Sequence, residues 1–474
     1  MSAPSFFLRF TTVVSLLALL GAGCSKAPSP DALEAAKPVS LEMWGVVDDA
    51  DAYQPVIDQY RKAHPNVTIT YRRLRLEEYE QKILEGFADD RGPDIFLIHN
   101  DWTGKYMPRI QPMPKTVKIG SVAVSGSFGG SRTWTMVEEP TVTLREYRTQ
   151  FADVVAQDTI RRINMAPAEP GATPDYQDKI LAIPVSVDTL AMYYNKDLLN
   201  AGGILEPPTS WIDFQANVEK LVKLDIDGQS FAQMAVALGT SNNISRATDI
   251  LTALMVQNGA RMVNELGQPT FQQMPPDLSN VREEPPAYSA LAFYTDFANP
   301  NKATYTWNAN QPEALDAFAQ GKTAFYFGYS YDLPVIKARA PKLNLGIAKL
   351  PQVSETAERN VANYWNWTVA KKSKNTDVAW HFVNYLTKPE AAKMVLDVIK
   401  RPAARKGMLA PQLDDEQVGV FASQVLTAIS WYKGNDPRAV EEAFGQLITD
   451  ALNPQVQLVV SMRNAVNRIS QTIQ

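Results

Sequence analysis

The chain has 474 residues, with 46 lysines and arginines against 51 aspartates and glutamates, a formal net charge of −5. Hydrophobic residues make up 45% and charged residues 20%, a globular composition that excludes intrinsic disorder and fibrous repeats. The mild acidity argues against nucleic acid as a partner, since a basic surface would have to supply most of that affinity. Three histidines (His64, His99 and His381) and one cysteine leave little material for a transition metal, so no metal and no cofactor are expected, and no disulfide can close within the chain. At roughly 100–200 residues per domain, the length corresponds to two or three domains.

Arg9 is the only charge before Lys26, and between them the largely apolar run Phe10 to Leu20 ends on Gly21-Ala22-Gly23-Cys24. One basic residue, a short apolar run and small residues read as a secretory signal, too short for the roughly 20 residues of a spanning helix. Because the lone cysteine follows the small residues, the segment resembles a bacterial lipoprotein signal, with Gly21 where that pattern usually carries leucine. The resemblance implies that residues 1–23 are removed and that Cys24 is acylated. Residues 24–37, rich in Ser, Ala and Pro, then read as a tether.

Ser40 to Val47 alternates as a strand, and Tyr53, Val56, Ile57 and Tyr60 take helical spacing after Asp51, a candidate cap. His64-Pro65 ends that helix. Val67, Ile69 and Tyr71 alternate as a second strand, Leu76, Tyr79, Ile83 and Phe87 form a second helical stripe, and Ile95 to Ile98 reads as a strand buried on both faces. The βαβαβ order places the chain in the α/β class. Residues 115–140, with Gly and Ser over 125–131, predict an irregular or hairpin insertion, and a helix resumes near Thr143. After a loop at 167–174, Leu181 to Tyr194 is a long extended stretch. Ser210 and Asp213 open a helix carrying Trp211, Phe214, Val218 and Leu221, another helix spans 246–258, and 265–286 is a loop rich in Pro and Gln. Val440, Ala443, Phe444, Leu447 and Ile448 mark a helix started by Asp436-Pro437.

Catalytic motifs fail on inspection. Gly321-Lys322-Thr323 imitates the end of a phosphate-binding loop, but Asp316 stands where its first glycine must be. Gly328-Tyr329-Ser330-Tyr331-Asp332 lacks the second glycine of a nucleophile elbow. The histidines have no metalloprotease spacing, so no catalysis is expected. A carboxylate pair for glycoside cleavage has only spatial spacing, which leaves a carbohydrate-active enzyme (glycosidase or lyase) as the alternative.

Pro93 to Ile98 followed by Asn100-Asp101-Trp102 resembles the first-lobe strand and loop of the extracellular solute-binding proteins of sugar ABC importers. Leu181 to Lys196 resembles that family's hinge crossing, and Pro207-Pro208-Thr209-Ser210-Trp211 its helix start. Phe318 to Asp332 and Leu345 to Pro351 are similar to the strand leading into the second hinge, and Ala370 to Leu386 to the helix that follows. These pieces run in family order over residues 40–450, interrupted by 115–140 and with Tyr331 at a place often held by tryptophan. The resemblance implies a two-lobed, maltose-binding-protein-like periplasmic-binding fold of type II, which captures ligand in its cleft by hinge closure. Lobe one is expected at 38–186 plus 349–388, and lobe two at 187–348 plus 389–474. The implied protein is an extracytoplasmic monomer, held to the bacterial membrane by its lipid alone, that passes an oligosaccharide or glycoside to an ABC permease. The same fold binding a polyamine, metal complex or peptide stays open.

A sugar presents hydroxyls and an apolar C–H face, so its pocket takes flat aromatics beside carboxylates and amides. Ligands of open α/β sheets sit at the carboxyl ends of strands. That rule selects Trp44 and Asp49 after the first strand and Asp101 and Trp102 after the third, although Asp49 or Asp51 serves equally as a helix cap. Ser241 and Asn242 follow an apolar strand and read equally as a turn. By resemblance, Asp188 matches a ligand-contacting acid at the crossing, and Tyr331 the stacking aromatic of the second lobe. Trp365 and Trp431 are further candidates against the usual fate of tryptophan, core packing, to which Trp211, Trp307 and Trp380 are assigned.

Overall fold

The structure, a computed structural model, describes residues 29–125, 131–166, 169, 171–226 and 230–473, so the signal and Cys24 lie outside the described residues. Val67–Leu74, Val39–Val46 and Ile95–His99 lie side by side as parallel strands, extended by antiparallel Trp365–Val369 and then by Ile183–Pro184. The helices between them, Ala50–Ala63 and Leu76–Ala88, turn Tyr53, Val56, Ile57, Tyr60, Tyr79, Ile83 and Phe87 inward, as their apolar stripes dictate. A second five-stranded sheet runs Lys223–Leu224, Phe231–Val236, Thr323–Gly328, Ala191–Asn195 and Leu345–Lys349. Its central Thr323–Gly328 strand is buried throughout. Ser210 caps the covering helix Trp211–Leu221, its Oγ accepting from the Asp213 amide at 3.1 Å. Each sheet has its own core, one built around Leu41, Ile83, Leu97 and Trp367, the other around Met192, Phe214, Leu251 and Phe325.

Three crossings join the cores. Val187 belongs to the first and Leu190 to the second; Val361 to the second and Tyr364 to the first; Val425 to the first and Tyr432 to the second. The crossings pair with one another as a three-stranded sheet, with Asn360–Asn363 between Asp188–Thr189 and Ala428–Ile429. Two buried amides tie them together. Asn360 Nδ2 donates to the Leu190 carbonyl and to Gln424 Oε1, both at 2.8 Å, while its Oδ1 accepts from the Leu190 amide at 3.2 Å. Gln424 Oε1 also accepts from the Leu350 amide at 3.0 Å.

Several expectations are corrected. Residues 389–425, expected in lobe two, join the first core apart from Val420 and Phe421, because the Pro389–Ile399 helix buries Ala391, Ala392, Val395 and Leu396 there, and Leu350 and Val361, expected in lobe one, lie in the second core. The expected tether is not all tether: Ser29 and Pro30 start a helix, Pro30–Ala35, in which Ser29 Oγ accepts from the Ala32 amide at 3.2 Å. The N-cap position of Ala50–Ala63 is Asp49, with Asp51 inside the first turn.

The 115–140 insertion is a hairpin of Thr116–Ser125 against Ser131–Pro140. Val117 and Ile119 bury its base, and the Lys118 amide donates to Asp377 at 3.0 Å. Beneath it, His381 Nδ1 faces the Tyr60 hydroxyl at 2.7 Å and Nε2 faces Glu139 at 3.2 Å, with the His64 ring 5.0 Å away. A neutral ring protonated on Nε2 satisfies both partners. Burial, then the neighbouring His64 and Lys388, push His381 down to about 4 against the pull of Glu139, and burial lowers His64 as well.

Native His381 therefore refuses a proton that the unfolded chain accepts below about 6.5. Its contribution to stability is complete above that pH and is lost as the pH falls toward about 4. Urea melts across this window should show a limb of up to about 1.4 kcal/mol per pH unit that His381→Gln flattens; parallel limbs in the two proteins would remove His381 as its cause. A second expectation concerns the crossings. Asn360→Ala strands buried partners at a cost of about 1–3 kcal/mol and should broaden the lobe-to-lobe distance distribution of the ligand-free protein. Pulsed electron resonance between labels at exposed Leu76 and Leu205, in a Cys24→Ser background, reads it. A lower melting temperature with an unchanged distribution would mean that the amide holds the fold and not the angle.

Candidate functional site

The Ile95–His99 strand runs out into a short turn, Asn100–Trp102, and the helical turn Thr103–Tyr106. His99 Nδ1 lies 2.6 Å from Asp101 Oδ1. Trp365, directly opposite His99 on the neighbouring strand, sets its ring 5.2 Å from the imidazole and 5.3 Å from Trp102, edge to face. Trp102 in turn stacks on Tyr106 at 5.6 Å and 18°. Burial pulls the His99 pKa down, but the charge and hydrogen bond of Asp101, with help from Asn363, carry it above its ordinary value. One wall thus offers aromatic edges and faces beside a carboxylate held by imidazole.

On the other lobe, the Thr323–Gly328 strand leads into Tyr329-Ser330-Tyr331. The rings of Tyr329 and Tyr331 stack at 5.5 Å and 24°, and the Arg246 guanidinium lies 5.5 and 5.6 Å from their centroids. Arg246 also approaches Asp249 at 3.7 Å, and the Tyr329 hydroxyl donates to Asp249 at 3.0 Å. Asp332 fixes the turn, accepting from the Tyr329 amide at 3.0 Å and from the Tyr326 hydroxyl at 3.1 Å. Glu441, on the Pro437–Ala451 helix, keeps an exposed side chain, yet surrounding protein first, then Asp101 and Asp249, raise its pKa while Arg246 and His99 oppose them. Charged groups of both lobes thus act on this one carboxylate.

At the hinge end, Asp188 is buried and accepts from the Ser330 amide at 2.9 Å and hydroxyl at 2.6 Å. Burial pushes its pKa up to about 7, against those bonds and the Arg401 charge. Arg401 grips Asp48 through two contacts, 3.1 and 2.7 Å, and Tyr53 donates to the same carboxylate at 3.2 Å. The buried Arg401 Nε has no protein partner, and a cavity of about 10 Å³ lies beside it, lined by Asp48, Tyr53, Ser186 and Trp365 among others. That is room for about one water molecule. The lobes also touch directly: Asn100 Nδ2 donates to Ser430 Oγ at 3.3 Å, and Lys433 pairs with buried Asp158. Gly104 packs so closely that a Cβ there would lie 2.5 Å from the Lys433 and Gly434 carbonyl oxygens.

The expected site residues separate accordingly. Asp101, Trp102 and Trp365 share one wall, Tyr331 stands on the other, and Asp188 lies at the crossing, where it holds the Tyr331 turn. Trp44 is only 8% exposed and packs in the first core beneath Arg72, because its strand position points to the helix side of the sheet. Asp49 is turned outward to Arg73, and the preceding residue, Asp48, faces inward. Ser241 Oγ donates to the Gly445 carbonyl at 3.1 Å, Asn242 is exposed, and Trp431 leans on Phe271 and Phe444. Arg246, Asp249, Glu441 and the Asp48–Arg401 pair escaped the sequence reading. Arg246 and Asp249 follow the carboxyl end of Phe231–Val236, so the rule that selected Ser241 reaches them a few residues on. Among the described residues, no group of three or more His, Cys, Asp and Glu side chains could hold a metal ion.

Residues 56–419 match the family of bacterial extracellular solute-binding proteins. The galactooligosaccharide-binding protein of Bacillus subtilis is 18% identical over 390 residues, 82% of this chain and 78% of that protein. The multiple sugar-binding protein of Streptococcus mutans is 27% identical over 235 residues, 48% of this chain and 52% of that protein. Binding proteins of Brucella abortus and Brucella suis match at 24% identity, and the chain spans about half their length, 46%. Among solved structures, the GacH receptor of Streptomyces glaucescens superposes with a TM-score of 0.64 at 18% identity, over 92% of this chain and 98% of that one. The cyclic alpha-maltosyl-1,6-maltose binding protein of Arthrobacter globiformis gives 0.65 at 17%, over 92% and 99%. These likenesses establish the two-lobed periplasmic-binding fold of type II, its lobes joined by hinge crossings around a cleft. With its family match spanning more than half its length, the chain belongs to the bacterial extracellular solute-binding proteins, whose place is outside the cytoplasm.

Proposed function

We propose that this protein is a lipid-anchored receptor that captures an oligosaccharide or glycoside and delivers it to an ABC permease, without catalysis. The carrying observation is the pair of aromatic walls on opposite lobes: Trp102 and Trp365 beside Asp101, and Tyr329 and Tyr331 beside Arg246. Sugar rings stack their C–H faces on such surfaces while carboxylates and guanidinium take up their hydroxyls. Acids alone would suit a polyamine; aromatic rings beside them suit a sugar. The names of the Streptococcus mutans and Bacillus subtilis relatives, and the acarbose complex of the GacH receptor, describe those proteins and lend this reading support. A ligand that touches both walls gains contacts only when they approach, so it shifts the population toward closure about the three crossings. The anchor is the acyl group proposed at Cys24, and delivery to the permease follows from the family's role.

A thermal-shift screen of the purified protein against a glycan panel identifies the ligand, since one present at about 100 times its Kd stabilises by about 2.7 kcal/mol. Truncating a buried aromatic anchor costs about 2 kcal/mol, so Tyr331→Ala and Trp365→Ala should each weaken calorimetric binding about thirtyfold. Asp101→Ala should weaken it as well, by leaving ligand hydroxyls unpaired. Unchanged affinity in all three variants would move the site elsewhere, and conversion of excess glycan by substoichiometric protein would make it an enzyme. For the anchor, fractionation of cells should find wild type with membranes and Cys24→Ser released; equal retention would sink it.

A further inference from the structure

We propose that Asp188 is a positioning residue, which acts through Ser330 on Tyr331 and holds that ring in place only while its carboxylate is ionised. The geometry sets Asp188 apart from a ligand contact. It is 2% exposed, and its hydrogen bonds among the described residues all go to protein. Oδ1 accepts from the Thr189 amide at 2.9 Å, and Oδ2 from the Ser330 amide at 2.9 Å and hydroxyl at 2.6 Å. All three partners donate, which suits a group that can only accept. An acid proton would have to displace one of them or turn the Ser330 hydroxyl round. Charge-assisted bonds of this kind are roughly twice as strong as neutral ones, so protonation loosens the hold on Ser330.

Ser330 sits between the two residues whose rings stack. The Tyr329 amide donates to Asp332, and the Tyr329 carbonyl accepts from the Tyr193 hydroxyl at 2.6 Å, so the backbone before Ser330 is fixed from within the second lobe. Asp188 takes hold of Ser330 itself, and it does so from the first crossing. There it lies in register with Asn363 of the second crossing, which in turn supports His99, the partner of Asp101. One strand pair at the hinge thus reaches residues of both walls. The groups that act on Asp188 are Arg401, itself paired with Asp48, and the phenols of Tyr193 and Tyr331, while Asp332 belongs to the same turn as Ser330. Burial outweighs the bonds and the Arg401 charge and pushes the Asp188 pKa up to about 7. Above that pH the ionised carboxylate grips Ser330; below it the grip relaxes and Tyr331 shifts. The bearing on capture rests on the reading of Tyr331 as a wall of the sugar cleft.

The test needs no ligand. In purified Cys24→Ser protein, 4-fluorophenylalanine replaces Tyr331 and is followed by fluorine NMR from about pH 5 to about pH 9, a range in which that ring has no proton to lose. Expected is a change of chemical shift with its midpoint near 7, absent once Asp188→Asn is added. Ser330→Ala removes a bond that favours the ionised form, so it should move the midpoint to higher pH. A flat signal in the parent protein, or an unmoved midpoint in Ser330→Ala, would overturn the proposal. So would a titration that persists in Asp188→Asn, since it would then belong to Asp332 or His99. If melting curves show that Asp188→Asn does not fold, the Ser330→Ala midpoint decides alone. Failure of the sugar reading shows separately: unchanged calorimetric affinity in Tyr331→Ala moves the site elsewhere and leaves the fluorine titration standing.

Discussion

Everything that the two lobes can do depends on how three strands of chain pass between them. Their pairing into one small sheet means that no crossing can bend alone. The buried amide of Asn360 adds hydrogen bonds that link its crossing to each of the other two, and Gln424 also holds the Leu350 amide. A side-chain amide suits this position because it donates and accepts at once, meeting a backbone N–H and a carbonyl from a neighbouring segment. The same groups left unpaired in a dry interior would cost more than the bonds contribute, so the network is either complete or ruinous.

Buried charge is concentrated around that axis. Asp188 reaches from the crossing to the Tyr331 turn, Arg401 joins Asp48 across the first lobe, and Lys433 joins Asp158 from the opposite lobe. Replacing such pairs with apolar side chains is often neutral or stabilising, so stability does not explain them. Their partners are distant in sequence and meet only when strands, crossings and the 430–434 segment are in place, which makes them markers of register. The Lys433 side chain is about a quarter exposed, whereas its partner Asp158 is fully buried, and surrounding protein pushes the Lys433 pKa down.

Local chemistry made the fold legible. The stripe of Tyr53, Val56, Ile57 and Tyr60, the run Ile95 to Ile98 and the Ser210–Asp213 cap each follow from periodicity or from a short hydrogen bond. Strand-end logic selected Asp101, which the structure places beside His99 and Trp365, and Trp44, which lies in the core because one residue along a strand reverses the face. Asp49 failed for a similar reason: the inward carboxylate is its neighbour. Arg401 and Glu441 were illegible in principle, since nothing near them in sequence signals a partner hundreds of residues away. The helix at Pro30–Ala35 was legible in its Ser-Pro start but was overridden by composition. The assignment of 389–425 went astray because a helix's stripe shows that it packs and not on which lobe.

The Ala50–Ala63 helix links the two ends of the first lobe. Its N-terminus follows Asp48, the partner of Arg401 at the hinge end of the cleft, and its C-terminus presents His64 to the hairpin. A rigid helix, packed on the sheet by its apolar stripe, fixes the distance between these ends but carries no two-state element between them. The residues around Asp48 at one end and the hairpin at the other are therefore mechanically joined, with no switching element between them. The two ten-residue strands of the insertion meet the first lobe at the His64 end of this helix, away from Asp48 and Arg401, so they extend the lobe without entering the arrangement of Asp101, Trp102 and Trp365.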